Sequence, residues 1–328
     1  MRIKTANPET IKEAASLLNA GKLVALPTET VYGLGANALD GEAVARIFEA
    51  KGRPAFNPLI SHFYTAEQVR EQADMDERAR LVAHHFWPGP LTLILPRKKS
   101  STISELVTAG LETLAVRVPA HKTAQALLKS AGIPIAAPSA NVSGTLSPTT
   151  PAHVAASLGD KVDLILAAGP CAVGLESTVL DLSGPAPLIL RPGAITAEDI
   201  EHVLGVAVPY ATCEVGQAPK SPGMVLKHYA PETKIRLNAI DLEPGEALLA
   251  FGSDKFMGIK GGGAAKDLPG SMRRNLSENA DLHKAAANLF AMLKELDRPG
   301  EHKAIAVMAI PDTGLGVAIN DRLRRAAE

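Results

Sequence analysis

Lys22-Leu23-Val24-Ala25-Leu26-Pro27-Thr28-Glu29-Thr30-Val31-Tyr32-Gly33-Leu34-Gly35 is the stretch that decides the fold. Its first five residues read as a short buried strand. Pro27 ends the run, and a loop carrying two threonines follows. Upstream, Asn7-Pro8-Glu9 has the marks of a helix start: an N-cap, a proline in the first turn, and an acid near the positive end of the dipole. Ile11, Ala14, Ala15 and Leu18 then repeat at helical spacing until Gly21. Downstream, Asp40 to Ala50 reads as a second helix ending before Gly52. A strand between two helices is the building unit of an α/β domain.

The alternation continues outward. Leu91 to Leu95, Leu114 to Val118, Ile133 to Ala137 and Leu164 to Ala168 are short apolar runs bounded by glycine or proline, with a helical segment at His121 to Ala131. Such runs predict a largely covered sheet. Val179 to Leu182 and Leu188 to Leu190 are predicted to pair antiparallel, because the Gly184-Pro185 link is too short for a parallel crossover. Ile195 to Leu204 closes a first domain, 1–206. Residues 207–232 carry four prolines and keep no period; they read as a long linker, and a segment of that length without structure is functional or disordered. The pattern restarts over 233–328, with strands at Ile235 to Leu237, Ala247 to Phe251 and Ala304 to Ile310. Asn279 to Leu296 is amphipathic, with Leu282, Ala286, Leu289, Leu293 and Leu296 on one face, and Gly314 to Arg325 reads as a last helix.

Bulk composition bounds the function. A chain of 328 residues that is 46% hydrophobic exceeds one ordinary core, in keeping with two domains. A net charge of −1 gives no global field for nucleic acid, although a local basic patch leaves room for weak RNA contact. Cys171 and Cys213 are the two cysteines, too few for a disulfide scaffold or a cysteine-rich zinc site. Residues 1–20 mix charges with apolar residues, unlike a signal peptide, and no apolar run is long enough to span a bilayer. A soluble cytoplasmic protein with no membrane partner is the expectation.

Polar segments sit at the strand ends, where α/β sheets bind ligands. The 27–35 loop offers two hydroxyls, and Gly33 and Gly35 would let a ligand approach the backbone; an ordinary polar turn reads equally well. Lys51-Gly52-Arg53-Pro54, with Asn57-Pro58 and His62 behind it, is a compact cationic pair suited to a polyphosphate, or simply a basic helix end. It is not a Walker loop. Arg117 inside an apolar strand needs a carboxylate, from the protein or from a ligand. Pro138-Ser139-Ala140-Asn141-Val142-Ser143-Gly144, Glu176-Ser177-Thr178 and Arg191-Pro192-Gly193 complete the set. No triad or metal-spacing motif is legible. Hydroxyls, one amide and several cations bind anions and position substrates; they are not a covalent catalyst.

Five motifs appear in order: P-T-E-T-V-Y-G-L at 27–34, K-G-R-P-A-F-N-P-L at 51–59, A-P-S-A-N-V-S-G at 137–144, E-S-T-V-L-D at 176–181 and L-R-P-G at 190–193. With S-P-G-M-V-L-K-H-Y-A-P at 221–231 and the ending at 314–327, the chain resembles the long, two-domain form of the YrdC-like threonylcarbamoyl-AMP synthases over nearly its whole length. The resemblance implies a twisted, mixed open sheet around a cationic cavity, then a smaller Rossmann-like α/β domain. It implies a nucleotidyltransferase that joins L-threonine, bicarbonate and ATP, with Mg2+ on the triphosphate. The product would pass to a tRNA threonylcarbamoyl transferase complex that modifies the adenosine beside the anticodon.

The same resemblance assigns residues. Thr30, His62, Arg117, Ala137 (by its backbone) and Ser177 form the expected threonine-binding set. Arg53, Asn57, Thr113, Ser139, Ser147, Arg191 and Tyr229 form the expected ATP set, with Lys51 and Asn141 lining the phosphate and bicarbonate region. No residue is expected to act as acid, base or nucleophile; Lys51 and Arg53 would act electrostatically, and no protein side chain is expected to ligate the metal. Met224 to Pro231 is expected to fold over the cavity with Tyr229 on the nucleotide. Ser61 departs from the pattern, since an apolar strand residue is expected before the histidine. Two competing readings are an RNA-binding module and a carbamoyl-transfer module of the hydrogenase-maturation type. Aromatics at 4% of the chain argue against the first, and missing accessory segments against the second.

Overall fold

Residues 2–54, 56–211, 229–255 and 257–328 are described by a computed structural model. Its contacts separate two units. The first holds the described residues up to 143, then 147–172 and 176–211; the second holds 144–146, 173–175 and everything from 229 on. The expected first domain, 1–206, therefore gives up two short segments to the second unit. The expected linker, 207–232, lies mostly outside the described residues.

The first unit begins with β1 (Ile3–Thr5), α1 (Pro8–Asn19), β2 (Val24–Leu26), β3 (Gly33–Asn37), α2 (Gly41–Lys51) and β4 (Ile60–His62). The Asn7 cap forms as the sequence predicts: its side chain accepts from Thr10 N at 2.9 Å, and Thr10 Oγ1 accepts in return from Asn7 N at 2.9 Å. Next come α3 (Ala66–Gln72), α4 (Glu77–Phe86), β5 (Leu91–Pro96), α5 (Glu105–Thr108), β6 (Thr113–Arg117), α6 (Lys122–Ala131) and β7 (Ile135–Ala136). The unit ends with α7 (Pro151–Leu158), β8 (Leu164–Ala167), β9 (Thr178–Asp181), β10 (Leu188–Arg191) and α8 (Ala197–Leu204).

Among the described residues, ten strands form one mixed sheet in the order β1-β8-β2-β3-β7-β4-β6-β5-β9-β10. The β4–β6 and β5–β9 pairs are parallel, while β5–β6 and β9–β10 are antiparallel, the last as predicted. Strand alternation gives this sheet two unlike faces. Leu93, Leu95, Leu114, Val116 and Leu180 point into the main core. Ile60, Ile94, Ala115 and Val179 form a smaller apolar set on the other face. Counting in twos along β4, β5 and β6 puts His62, Thr92, Thr113 and Arg117 on that second face. Ser61 falls on the core side, in register with Val116 and Ala136, fully buried and with its Oγ lacking a hydrogen-bond partner among the described residues.

Gly33 and Gly35 lie inside β3 rather than in a loop. A Cβ at Gly35 would stand 2.8 Å from Leu26 Cδ2 and 2.9 Å from Ile135 Cγ2. That glycine makes room for neighbouring strands, not for a ligand, which corrects the reading of its role.

The second unit contains β11 (Ile235–Arg236), β12 (Ala247–Ala250), β13 (Arg273–Asn275), α9 (Leu282–Leu296), β14 (Ile305–Val307) and α10 (Leu315–Ala327). Its sheet is parallel throughout, in the order β11-β14-β12-β13. The apolar stripe of α9 is buried at Ala286, Leu289, Leu293 and Leu296, as its period predicts. Among the described residues, no helix is long and apolar enough to cross a membrane.

Candidate active site

Arg117 ends β6 on the polar face and is 3% exposed. Its Nε donates to the Gly89 carbonyl at 3.1 Å, one terminal nitrogen to Thr30 Oγ1 at 3.0 Å and the other to Glu29 Oε1 at 2.5 Å. The carboxylate that the sequence left open is thus supplied by the protein. A guanidinium has five N–H groups, so one on each terminal nitrogen is left over from these three bonds. Sequence reasoning gave Glu29 no role. Its signal was an acid in a loop otherwise short of charge, in a chain with a cation to place inside a strand. The other Glu29 oxygen accepts from Ala120 N at 3.1 Å. Burial works to raise the Glu29 carboxyl, but the Arg117 charge and the hydrogen bonds outweigh it and hold the group below its ordinary value. Thr28 Oγ1 lies 2.7 Å from Thr30 Oγ1 and donates to Val31 O at 2.6 Å, which fixes the loop.

His62 is in register with Arg117 and is 3% exposed. Burial, helped by the Arg117 charge, brings its pKa down to about 3, so the imidazole is neutral. Its Nδ1 is buried with no hydrogen-bond partner among the described residues. This has a stability consequence. Below pH 6.5 an unfolded histidine takes up a proton that folded His62 refuses until about pH 3. Its contribution to stability is therefore complete above pH 6.5 and falls through that window. Urea unfolding at pH 7 and pH 5 should show the wild type losing about 2 kcal/mol more than a His62→Gln variant. Equal losses would mean that His62 titrates normally.

A second cluster is cationic. Lys51, 1% exposed at the end of α2, donates to the carbonyls of Ser139 at 2.6 Å and Asn141 at 2.5 Å. Burial and then the nearby Arg53 push the Lys51 pKa well below its ordinary value, with Glu176 opposing. Arg53 donates to the carbonyls of Asn57 at 3.2 Å and Pro58 at 3.0 Å. Asn57 is 2% exposed, and its Oδ1 has no hydrogen-bond partner among the described residues. Buried polar atoms of this kind are rare enough to mark ligand positions. Asn141 donates from its side chain to Val142 O at 2.9 Å. Ala137 N donates to Ile60 O at 2.9 Å. Thr113 starts β6 at the end of the sheet where β4 also starts, next along the chain from Asn57-Pro58, and thus four residues from Arg117.

The third cluster is at the start of β9. Ser177 Oγ is 2.7 Å from Thr92 Oγ1, and Arg191 donates to Ser177 O at 2.9 Å and Oγ at 3.1 Å. Ser147 Oγ donates to the Glu176 carboxylate in a short contact. The Thr92–Ser177 contact seats this cluster on the face that carries Arg117. Tyr229 belongs to the second unit. It is 1% exposed, with its ring 5.5 Å from Phe290 and the Arg322 guanidinium 5.5 Å from its centroid. A nucleotide contact by this ring would require it to leave that packing. Of the expected lid, Met224 to His228 lie outside the described residues. Among the described residues, no group of three or more His, Cys, Asp or Glu side chains forms a metal-ligand set.

Comparison with known proteins extends this geometry. Residues 16–193 match the Sua5/YciO/YrdC family model, described as telomere recombination, and residues 195–328 match the model for the C-terminal domain of threonylcarbamoyl-AMP synthase. The threonylcarbamoyl-AMP synthase of Pyrococcus abyssi is 42% identical, covering 97% of this chain and 94% of its own. That of Bacillus subtilis is also 42% identical, covering 99% and 94%. The crystal structure of P. abyssi Sua5 complexed with L-threonine superimposes with a TM-score of 0.86 at 39% identity, over 99% of this chain and 96% of that one.

Proposed function

The chain belongs to the threonylcarbamoyl-AMP synthase family, and we propose from that premise that it joins L-threonine, bicarbonate and ATP into threonylcarbamoyl-AMP. The threonine amine adds to bicarbonate with loss of water, giving a carbamate. A carbamate oxygen attacks the α-phosphorus of ATP, and pyrophosphate leaves with the electron pair of the broken P–O bond.

One observation carries the reading: buried Arg117 keeps a donor on each terminal nitrogen, beside the Thr30 hydroxyl and the neutral His62. That combination suits an amino acid's carboxylate with a small polar side chain next to it. Arg53 and Arg191 are fixed cations for the triphosphate, and the unpartnered Asn57 Oδ1 accepts a donor from the nucleotide. Lys51 shapes the phosphate and bicarbonate region by holding the Ser139–Asn141 backbone. Catalysis on this reading is positioning and electrostatic stabilisation without a protein nucleophile. Magnesium, bound with the triphosphate, would supply neutralisation of its charge, with Arg53 and Arg191 as the protein's own cations beside it. The product goes to a tRNA-modifying transferase, and the setting is the cytoplasm.

The test is pyrophosphate release by the purified protein with magnesium and ATP, omitting L-threonine and bicarbonate in turn. Release should need both, with threonylcarbamoyl-AMP seen by mass spectrometry. Release without threonine would mean a different acceptor, and none at all would favour an RNA-binding role.

A further inference from the structure

The second unit has a cavity of about 850 Å³ that the proposed reaction does not use. It lies at the carboxyl ends of β12 and β13 and is large enough for a nucleotide-sized ligand. Ligands of open parallel sheets bind beyond the carboxyl ends of the strands, where the connecting loops leave a crevice. Here β12 runs into Gly252, at φ +71°, and Ser253, while its edge neighbour β13 runs into Ser277, Glu278 and Asn279. Asn275 joins the two strand ends. Its amide donates to Gly252 O at 2.8 Å, and its Oδ1 accepts from Ser277 N at 3.0 Å.

The charges in the cavity are of two kinds. Arg273 and Asp254 neutralise one another through two bonds, of 2.6 and 3.0 Å, and serve as wall. Lys255 and Lys266 are exposed and make no ion pair or side-chain hydrogen bond among the described residues. Glu278 and Asn279 also line the cavity; among the described residues neither side chain makes a hydrogen bond, and Glu278 acts electrostatically on Arg273. Two unspent ammonium groups call for a phosphate. A carboxylate that faces Arg273 but has its oxygens free of hydrogen bonds, just past the neighbouring strand, calls for a donor such as a ribose diol, which is how acidic residues work in dinucleotide-binding sheets.

We propose that this cavity is a second ligand site that binds a phosphorylated nucleoside, with its phosphates on Lys255 and Lys266 and its ribose hydroxyls donating to Glu278. The inference does not rest on the reaction proposed above.

Calorimetric titration of the full chain with ADP tests it. A Lys255→Glu/Lys266→Glu variant should bind one equivalent of ADP fewer than the wild type, or bind it at least tenfold more weakly. Far-UV dichroism and pyrophosphate release should not change. The comparison counts a difference, so it reads out even if the first unit binds no nucleotide. Identical isotherms would overturn the proposal. Glu278→Gln provides an independent arm: it should weaken ADP at this site several-fold and leave competition by inorganic phosphate unaltered. If phosphate displaces ADP at equal concentration, or Glu278→Gln binds as the wild type does, the site takes an anion only and the nucleoside assignment fails.

Discussion

Replacing Arg117 with methionine should lower kcat/KM for threonine by 10² to 10⁴-fold and cost the fold about 3–5 kcal/mol. The two effects have separate causes. The stability loss comes from Glu29, which is buried against Arg117 and loses its charge partner. The kinetic loss comes from the two leftover N–H groups, because each hydrogen bond to a charged partner contributes about 1.5–3 kcal/mol. Glu29→Gln separates them. It removes the ion pair but keeps the guanidinium and a carbonyl oxygen for it. On the proposed reading its kcat/KM for threonine falls less than tenfold while its unfolding midpoint drops. If both variants lose threonine turnover equally, Arg117 acts only by holding Glu29, and the substrate carboxylate binds elsewhere. Initial rates of pyrophosphate release against threonine concentration, with urea unfolding alongside, give both numbers.

How much of this was legible in the sequence depends on whether the signal was local. Apolar runs such as Leu91–Pro96 and periodic helices such as Leu282–Leu296 are local, and both appear where the pattern puts them. The strand β3 was not legible, because Gly33-Leu34-Gly35-Ala36-Asn37 lacks β-branched and aromatic residues; it forms because β2 and β7 accept it from both sides. The edge strands β1 and β13 are three residues long, with one apolar residue in the first and none in the second, which hides them from a hydrophobic count while suiting an edge. At the site, residue types were legible and partners were not. Arg117 was visible as a misplaced charge, but Glu29 lies 88 positions away in the chain. The motif at 51–59 showed two cations; nothing local says that one meets the backbone of another motif.

Lys51 is that case, and Lys51→Met should be nearly as damaging as the loss of Arg117. Its Nζ donates to two carbonyls, Ser139 O and Asn141 O, which methionine cannot serve. A buried acceptor left unmade costs about 1–3 kcal/mol, so the variant should lose about 2–6 kcal/mol in urea unfolding. The damage should not stop at stability. Lys51 ties the end of α2 to the Pro138–Gly144 loop, and Ser143 N also donates to Lys51 O at 2.8 Å, so two motifs are braced by one residue. Without the brace, both the Arg53–Asn57 segment and the Ser139–Asn141 backbone lose their fixed spacing. A displacement of about 1 Å in positioned groups is enough to cost 10²-fold in rate. The expected result is a fall in kcat of that order, with a rise in the KM for ATP exceeding any rise for threonine, since Arg117 and Thr30 do not depend on Lys51 for their contacts. A variant that kept its ATP kinetics while losing stability would restrict Lys51 to the fold alone.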